Sequence, residues 1–229
     1  MTEMVLTAML LSVRIALTAM VVSLPIAVAV AYLLASVRQP WQSVLNALVH
    51  LPLVMPPVVT GYLLLLTLGK NGTVGIWLYD WFGISVAFRW TGAAIAAAVM
   101  AFPLMVRPMR QSFEAVDVKL LQAAQTLGIG RWGRFLYVAL PLAVPGIVAG
   151  LILGFAKAMG EFGATITFVS NIPGQTQTLG LAVHTALQVP GGEQAALLLA
   201  GFSAAFSFVA ILGSDWIGRM LQRRFGVGQ

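Results

Sequence analysis

Five stretches of this chain run for roughly twenty residues each without a charged side chain, the length an α-helix needs to cross the hydrocarbon core of a bilayer. They are 15–35, 48–69, 90–106, 135–156 and 194–214. That spacing admits few folds. In hydrocarbon every backbone N–H and C=O must find a partner within the protein, and apolar windows of this length achieve that as helices. Charges bracket the windows: Arg89 and Arg107 flank the third, Arg134 and Lys157 the fourth, Glu193 and Asp215 the fifth. The second contains Pro52, Pro56 and Pro57 and predicts a proline-bent helix. The segment before Ile15 carries Glu3 and a late Arg14, without the basic start and small-residue cleavage site of a signal peptide, which predicts a retained first helix.

Composition agrees. Hydrophobic residues make up 59% of the chain, charged residues 9%, and the mean hydropathy is +0.92, against roughly 25% charged residues in soluble domains. The expected fold class is an all-α polytopic membrane protein with about five transmembrane helices, forming one domain over residues 1–229. Residues 162–192 are also uncharged, but SNIPGQTQT at 170–178 interrupts them with turn formers and amides. Neither half is long enough to cross, so this segment is expected to be an outer loop or a sixth, short or re-entrant piece. There is no cysteine, which excludes disulfides, a thiol nucleophile and cysteine-ligated metal sites.

The net charge of +6 is explained by topology. With five spans, Arg38, Arg107, Arg110, Lys119, Arg131, Arg134, Arg219, Arg223 and Arg224 share one side, nine of the 13 basic residues, and Arg14, Lys70, Arg89 and Lys157 fall on the other. The positive-inside rule places the nine in the cytoplasm, the N-terminus outside and the C-terminus inside. Nucleic acid is then not needed as a partner, and membrane lipid is the surrounding medium.

One cytoplasmic loop, at about 107–140, is patterned. Apolar residues at Val116, Leu120, Ala124 and Leu127 draw a helical stripe. Asp117 stands as an N-cap, and Gly128 where a left-handed residue ends a helix. A second stripe, Trp132, Phe135, Leu136, Ala139 and Leu140, follows the hinge Gly128-Ile129-Gly130 and leads into the fourth window past Pro141. Two short helices with a glycine elbow are expected. Such a stripe at a cytoplasmic surface serves either a protein partner or the inner leaflet.

The same loop reads Gln122-Ala123-Ala124, three residues, Gly128, nine residues, Val138-Ala139-Leu140-Pro141. This resembles the E-A-A, three residues, G, nine residues, I-x-L-P pattern of binding-protein-dependent ABC importer permeases. Gln122 replaces the usual Glu and Val138 the usual Ile. The motifs AMGEFGATITF at 158–168, IPGQTQTLGLAV at 172–183 and LPLVMPPVVTGYLLL at 51–65 are similar to the molybdate and sulfate branch, nearest its molybdate permeases. The resemblance implies a type I importer architecture in a bacterial inner membrane and a coupling helix near 118–128 that docks on a cytosolic ATPase. It implies contacts there by Asp117, Leu120, Leu121, Gln122, Ala123, Ala124, Leu127, Gly128, Leu140 and Pro141. The implied partners are a second permease copy, two ATP-binding cassette subunits that hold ATP and Mg, and a periplasmic oxyanion-binding protein; no cofactor is implied on this chain.

No catalytic residue is expected. The chain lacks G-x-x-x-x-G-K-[ST], so ATP must be hydrolysed elsewhere, and it lacks H-E-x-x-H and G-x-S-x-G. An ion-coupled anion carrier would call for inverted repeats and ionisable residues near the midplane, and neither is clear. Two lone histidines, His50 and His184, do not make a metal site. For a translocation pathway the candidates are Gly146, Gly150 and Gly154, a smooth helix face suited either to packing within one subunit or to a dimer interface. Glu161 is the next candidate, an ionisable group near membrane depth that also stands at i+4 from Lys157. Gln175, Thr176, Gln177 and Thr178 form either a solvated turn or the outer mouth. Molybdate, tungstate and sulfate are all tetrahedral dianions, so the lean to molybdate rests on the motifs.

Overall fold

The computed structural model describes residues 2–36 and 39–225 and is helical throughout its regular structure. Arg38, counted above among the nine cytoplasmic cations, lies outside the described residues. The helices are α1 (Thr2–Ser36), α2 (Pro40–Val54), α3 (Pro57–Leu68), α4 (Thr73–Phe82), α5 (Trp90–Glu114), α6 (Val118–Thr126), α7 (Arg131–Arg134), α8 (Leu140–Met159), α9 (Gly163–Val169), α10 (Leu179–Leu187) and α11 (Glu193–Phe225). A π-helical turn, Phe135–Ala139, joins α7 to α8, so that Arg131–Met159 is one continuous helix of 29 residues. The expected second short helix of the loop is thus the first part of the fourth span. Pro141 supplies the reason for the π turn: it has no N–H to give Tyr137, and widening the helix just upstream makes room for its ring. Leu140 N–H bonds back to Phe135 O across that turn.

Among the described residues four helices are long and apolar enough to cross a membrane, and the pair α2 and α3, bent by 111°, passes the same test together, as a broken span or a re-entrant loop. The second window forms this broken pair instead of one bent helix. Consecutive prolines are the cause: Met55 and Pro56, each followed by proline, are held extended at ψ 145° and 131°, and Pro57 begins α3 at the position where a missing N–H does no harm. The pair still joins opposite ends of the bundle. At one end Gln42 Nε2 donates to Leu34 O at 2.5 Å and Arg110 reaches Asn46 Oδ1 at 2.9 Å. At the other, Gly61 of α3 lies against the backbone of Ala164 in α9. Gly92, at the start of α5, lies against Val169 and Phe168 of the same α9.

The first helix is longer than its window. Its 35 residues extend about 52 Å at roughly 1.5 Å per residue, well beyond the hydrocarbon core. Arg14 sits 3.9 Å above the ring of Trp90, the first residue of α5, a cation–π contact that marks the Trp90 end of the bundle. The preceding turns continue on to α10, where Ser12 Oγ accepts the N–H of Leu179 at 2.8 Å.

At the centre, α5 lies between α1 and α8. Its inner face is built from small and flexible residues, Ala93, Ala96, Ala97, Met100, Ala101, Met105 and Met109, all buried. Opposite them on α8 stand Gly146, Gly150 and Gly154, also buried. Small residues on one helix and thioether chains on the other let the two backbones approach closely, which is how helices gain dispersion contacts where no hydrophobic effect drives them together.

Candidate functional site

The loop that carries the motif is anchored by an aromatic trio at the Arg110 end. Tyr32 of α1 packs edge-on to Phe113 of α5 at 5.4 Å and against Phe135 at 4.7 Å. From that anchor α6 projects as a nine-residue helix. Asp117 caps it, its Oδ1 accepting the N–H of Lys119 at 2.8 Å. Gly128 ends it at φ +80°. The N–H of Ile129 bonds Ala124 O and that of Gly128 bonds Gln125 O, both at 3.0 Å, the paired reverse bonds of a Schellman termination. Arg134 braces the free side, donating from an Nη to Gln125 Oε1 at 2.8 Å.

The expected stripe divides. Val116 and Ala124 are buried and Leu121 is half-buried against the bundle, while Leu120 is 49% and Leu127 80% exposed. Val116 and Leu127 lie outside the helix bounds, so the helical period does not set where they point. The outward surface is instead made by Val118, Leu120, Gln122, Ala123, Leu127 and, from the next helix, Trp132 at 80% exposure. Leu140 is half-buried and Pro141 exposed on the entrance to α8. Trp132 is the strongest outward group; its place in the second stripe was legible, its exposure was not.

The pathway candidates separate into three groups. A Cβ on Gly150 would stand 2.6 Å from Met105 O and 3.0 Å from Met109 Cε; one on Gly146 would strike Ser112 and Pro108, and one on Gly154 Met105 and Met20. The glycine face is filled by α5 and α1 of its own chain. Gly146, Gly150 and Gly154 therefore serve packing within one subunit, because the close approach that glycine permits is used there by α5 and α1.

Glu161 is 2% exposed, and both carboxylate oxygens are engaged. Oε2 accepts from Lys157 Nζ at 2.6 Å, and Oε1 accepts the N–H of Ala164 at 3.1 Å, in the first turn of α9. The second contact, which no i+4 rule predicts, satisfies one of the free N–H groups at the start of that helix.

In the turn at 170–178 only part is solvated. Gln175 is exposed, but Thr176, Gln177 and Thr178 are buried. Thr176 Oγ1 donates to Ser170 O at 3.0 Å and accepts Ile172 N–H at 2.9 Å. Asn171 and Gln177 both donate to Thr185 Oγ1, at 2.7 and 3.2 Å. These bonds hold Ser170 at φ 63°, a region where a serine is strained. His184 lies against the ring of Phe162, and Nδ1 of His50 is 2.9 Å from Asn46 O. Among the described residues no group of three His, Asp or Glu side chains could hold a metal ion.

Against known proteins, residues 6–227 match the family described as the binding-protein-dependent transport system inner membrane component. The chain belongs to that family. It is 52% identical over 219 residues to the molybdenum transport system permease protein ModB of Escherichia coli (strain K12), covering 96% of each chain. With ModB of Haemophilus influenzae it shares 50% over 218 residues, 95% of each chain. With the sulfate transport system permease protein CysT of Escherichia coli it shares 35% over 196 residues, 86% of this chain and 69% of that one. The fold is also that of solved transporters. One is a bacterial alginate ABC transporter in complex with an alginate-bound periplasmic protein, with TM-score 0.71 and 16% identity, covering 98% of this chain and 80% of that one. Another is an amino acid ABC transporter, with TM-score 0.61 and 20% identity, covering 97% and 94%. The permease is thus a multi-pass inner-membrane protein with ABC transporter permease architecture.

Proposed function

We propose that this permease carries molybdate from periplasm to cytoplasm by alternating access, driven by ATP hydrolysed on separate subunits. The observation that supports this most is identity of 52% over nearly the whole chain with a molybdenum permease, against 35% with a sulfate permease. It acts as a homodimer with two cytosolic ATP-binding cassette subunits, which bind ATP and Mg, and receives the anion from a periplasmic oxyanion-binding protein. A bare dianion in hydrocarbon loses too much solvation to cross unaided, so the route is polar and opened to one side at a time.

In this reading α6 is the coupling helix. Its cap and its Schellman end fix its length, the Tyr32–Phe113–Phe135 trio fixes its base, and the exposed Val118, Leu120, Gln122, Leu127 and Trp132 meet the ATPase. Because Arg131–Met159 is one helix, a push on this loop is delivered along the whole fourth span. The N-terminus lies in the periplasm and the C-terminus in the cytoplasm.

Reconstitution tests the substrate. Permease, ATPase and binding protein in proteoliposomes are expected to take up labelled molybdate with ATP, with sulfate competing weakly. Uptake that follows an ion gradient without the ATPase would replace this reading with an ion-coupled carrier, and preferential sulfate uptake would replace molybdate. Topology has its own test, made clean by the absence of native cysteine. Gly130→Cys is expected to react with an impermeant maleimide only from the cytoplasmic side, and Asp80→Cys only from outside; labelling of both from one side would remove the five-pass arrangement.

A further inference from the structure

Glu161 connects two things that the transport cycle has to connect. Its carboxylate, buried to 2% exposure, holds Lys157 in the last turn of α8 with one oxygen and the N–H of Ala164 in α9 with the other. The fourth span begins at Arg131, next to the cytoplasmic loop, and reaches Lys157 without a break in the helix. On its other side α9 touches the broken span directly. A Cβ on Gly163 would stand 2.7 Å from Pro57 Cβ, at the 111° break, and one on Gly61 would stand 2.5 Å from Ala164 O. The loop, the fourth span, the Lys157–Glu161 pair, α9 and the break between α2 and α3 thus form one line of contacts.

We propose that Glu161 is a positioning residue that clamps α9 to the end of α8, so that movement of the cytoplasmic loop is transmitted to the break at Met55–Pro57. The physical case rests on where compliance lies. A continuous helix carries displacement along its length, whereas the segment after Met159 is not helical until Gly163 and would yield without a cross-link. The paired charge supplies that link, and a buried carboxylate is held strongly in place because leaving either oxygen unpaired is heavily penalised. The break is the element able to take two arrangements: Pro56 and Pro57 have no N–H to give the carbonyls of Pro52 and Leu53, so the two helical hydrogen bonds that would hold a straight span there cannot form. Glycine at 61 and 163 lets α9 press on the backbone of α3 instead of on mobile side chains.

This inference rests on the transport reading above, and the experiment keeps the two apart. Molybdate uptake and ATP hydrolysis are measured together in proteoliposomes for the parent complex and for Glu161→Gln and Lys157→Gln. Absence of ATP-driven uptake in the parent would remove the transport reading. With a competent parent, the clamp is judged on molybdate carried per ATP. Glutamine keeps the length of Glu161 and an acceptor for Ala164 N–H but loses the charged hold on Lys157. Glu161→Gln is expected to lower molybdate per ATP by about tenfold or more while ATP hydrolysis stays near the parent rate, the size of a typical coupling free energy. Lys157→Gln, at a side chain 29% exposed, replaces the ammonium by an amide N–H donor that can still face the Glu161 carboxylate, and at equal membrane abundance it should show the same uncoupling even if Glu161→Gln fails to insert. The double substitution is expected to lose no more than the worse single one. Parent-like molybdate per ATP in Lys157→Gln overturns the clamp. So does a parallel fall of uptake and hydrolysis, which would mark the pair as structural only.

Discussion

Gly150→Leu is expected to remove folded permease from the membrane. The first added carbon alone would stand 2.6 Å from the carbonyl oxygen of Met105 and 3.0 Å from Met109 Cε. The nearest of these atoms is backbone, so relief requires α5 and α8 to move apart, and no rotamer change can supply it. Overpacking in a well-filled core costs about 1–3 kcal/mol when side chains can adjust. Here separation would also undo the neighbouring contacts at Gly146 and Gly154, which depend on the same approach, so the effect should exceed that range. Membrane abundance and a detergent-stability profile are the measurements. A second expectation sharpens the first: Gly201→Leu, at a glycine with nothing within 4 Å of an added Cβ, should leave abundance unchanged. Normal abundance and uptake in Gly150→Leu would show that the α5–α8 approach is looser than described.

Gly128→Val should leave the permease inserted and abolish transport. No atom lies within 4 Å of a Cβ at Gly128, so the substitution meets no clash in its own chain. Its penalty is conformational: φ +80° costs an L-residue about 1–2 kcal/mol, and a β-branched one more. That is enough to release the bonds from Gly128 and Ile129 to Gln125 and Ala124 and to let the end of α6 unwind. The loss matters because near-complete switching between two states needs about 5.5 kcal/mol of differential interaction, and in the proposed mechanism all of it enters through this helix. Uptake and co-purified ATPase, at equal membrane abundance, are expected to show no molybdate transport and an ATPase either lost or idling. Asparagine tolerates the left-handed region, so Gly128→Asn should retain much of the activity. Full uptake by Gly128→Val would mean that α6 is not the coupling element.

Which parts of this were legible beforehand follows the range of the forces involved. Hydropathy located the four helices long and apolar enough to cross and the bent pair α2 and α3, because crossing hydrocarbon is a requirement on about twenty consecutive residues. Asp117 and Gly128 were placed correctly as the cap and the left-handed end of α6, since a helix end is settled by residues three to five positions apart. The prolines at 56 and 57 announced a bend, and the i+4 spacing announced the Lys157–Glu161 pair. What tertiary structure decided was everything that required knowing which helix lies beside which. The amplitude of the bend, 111°, and the contact of Gly163 in α9 with Pro57 at the break appear only in the fold. The glycine row of α8 suits any close neighbour, and only the position of α5 shows that its own chain fills it. Periodicity drew one stripe through Val116, Leu120, Ala124 and Leu127, yet the bundle covers two of these and leaves two exposed. Thr176, Gln177 and Thr178 have the composition of a surface turn and are buried by α10 and by bonds to Ser170 and Thr185. Solvation and local hydrogen bonding act on residues near in sequence and are written into it directly, whereas a side chain's burial depends on the surface brought against it from elsewhere in the chain.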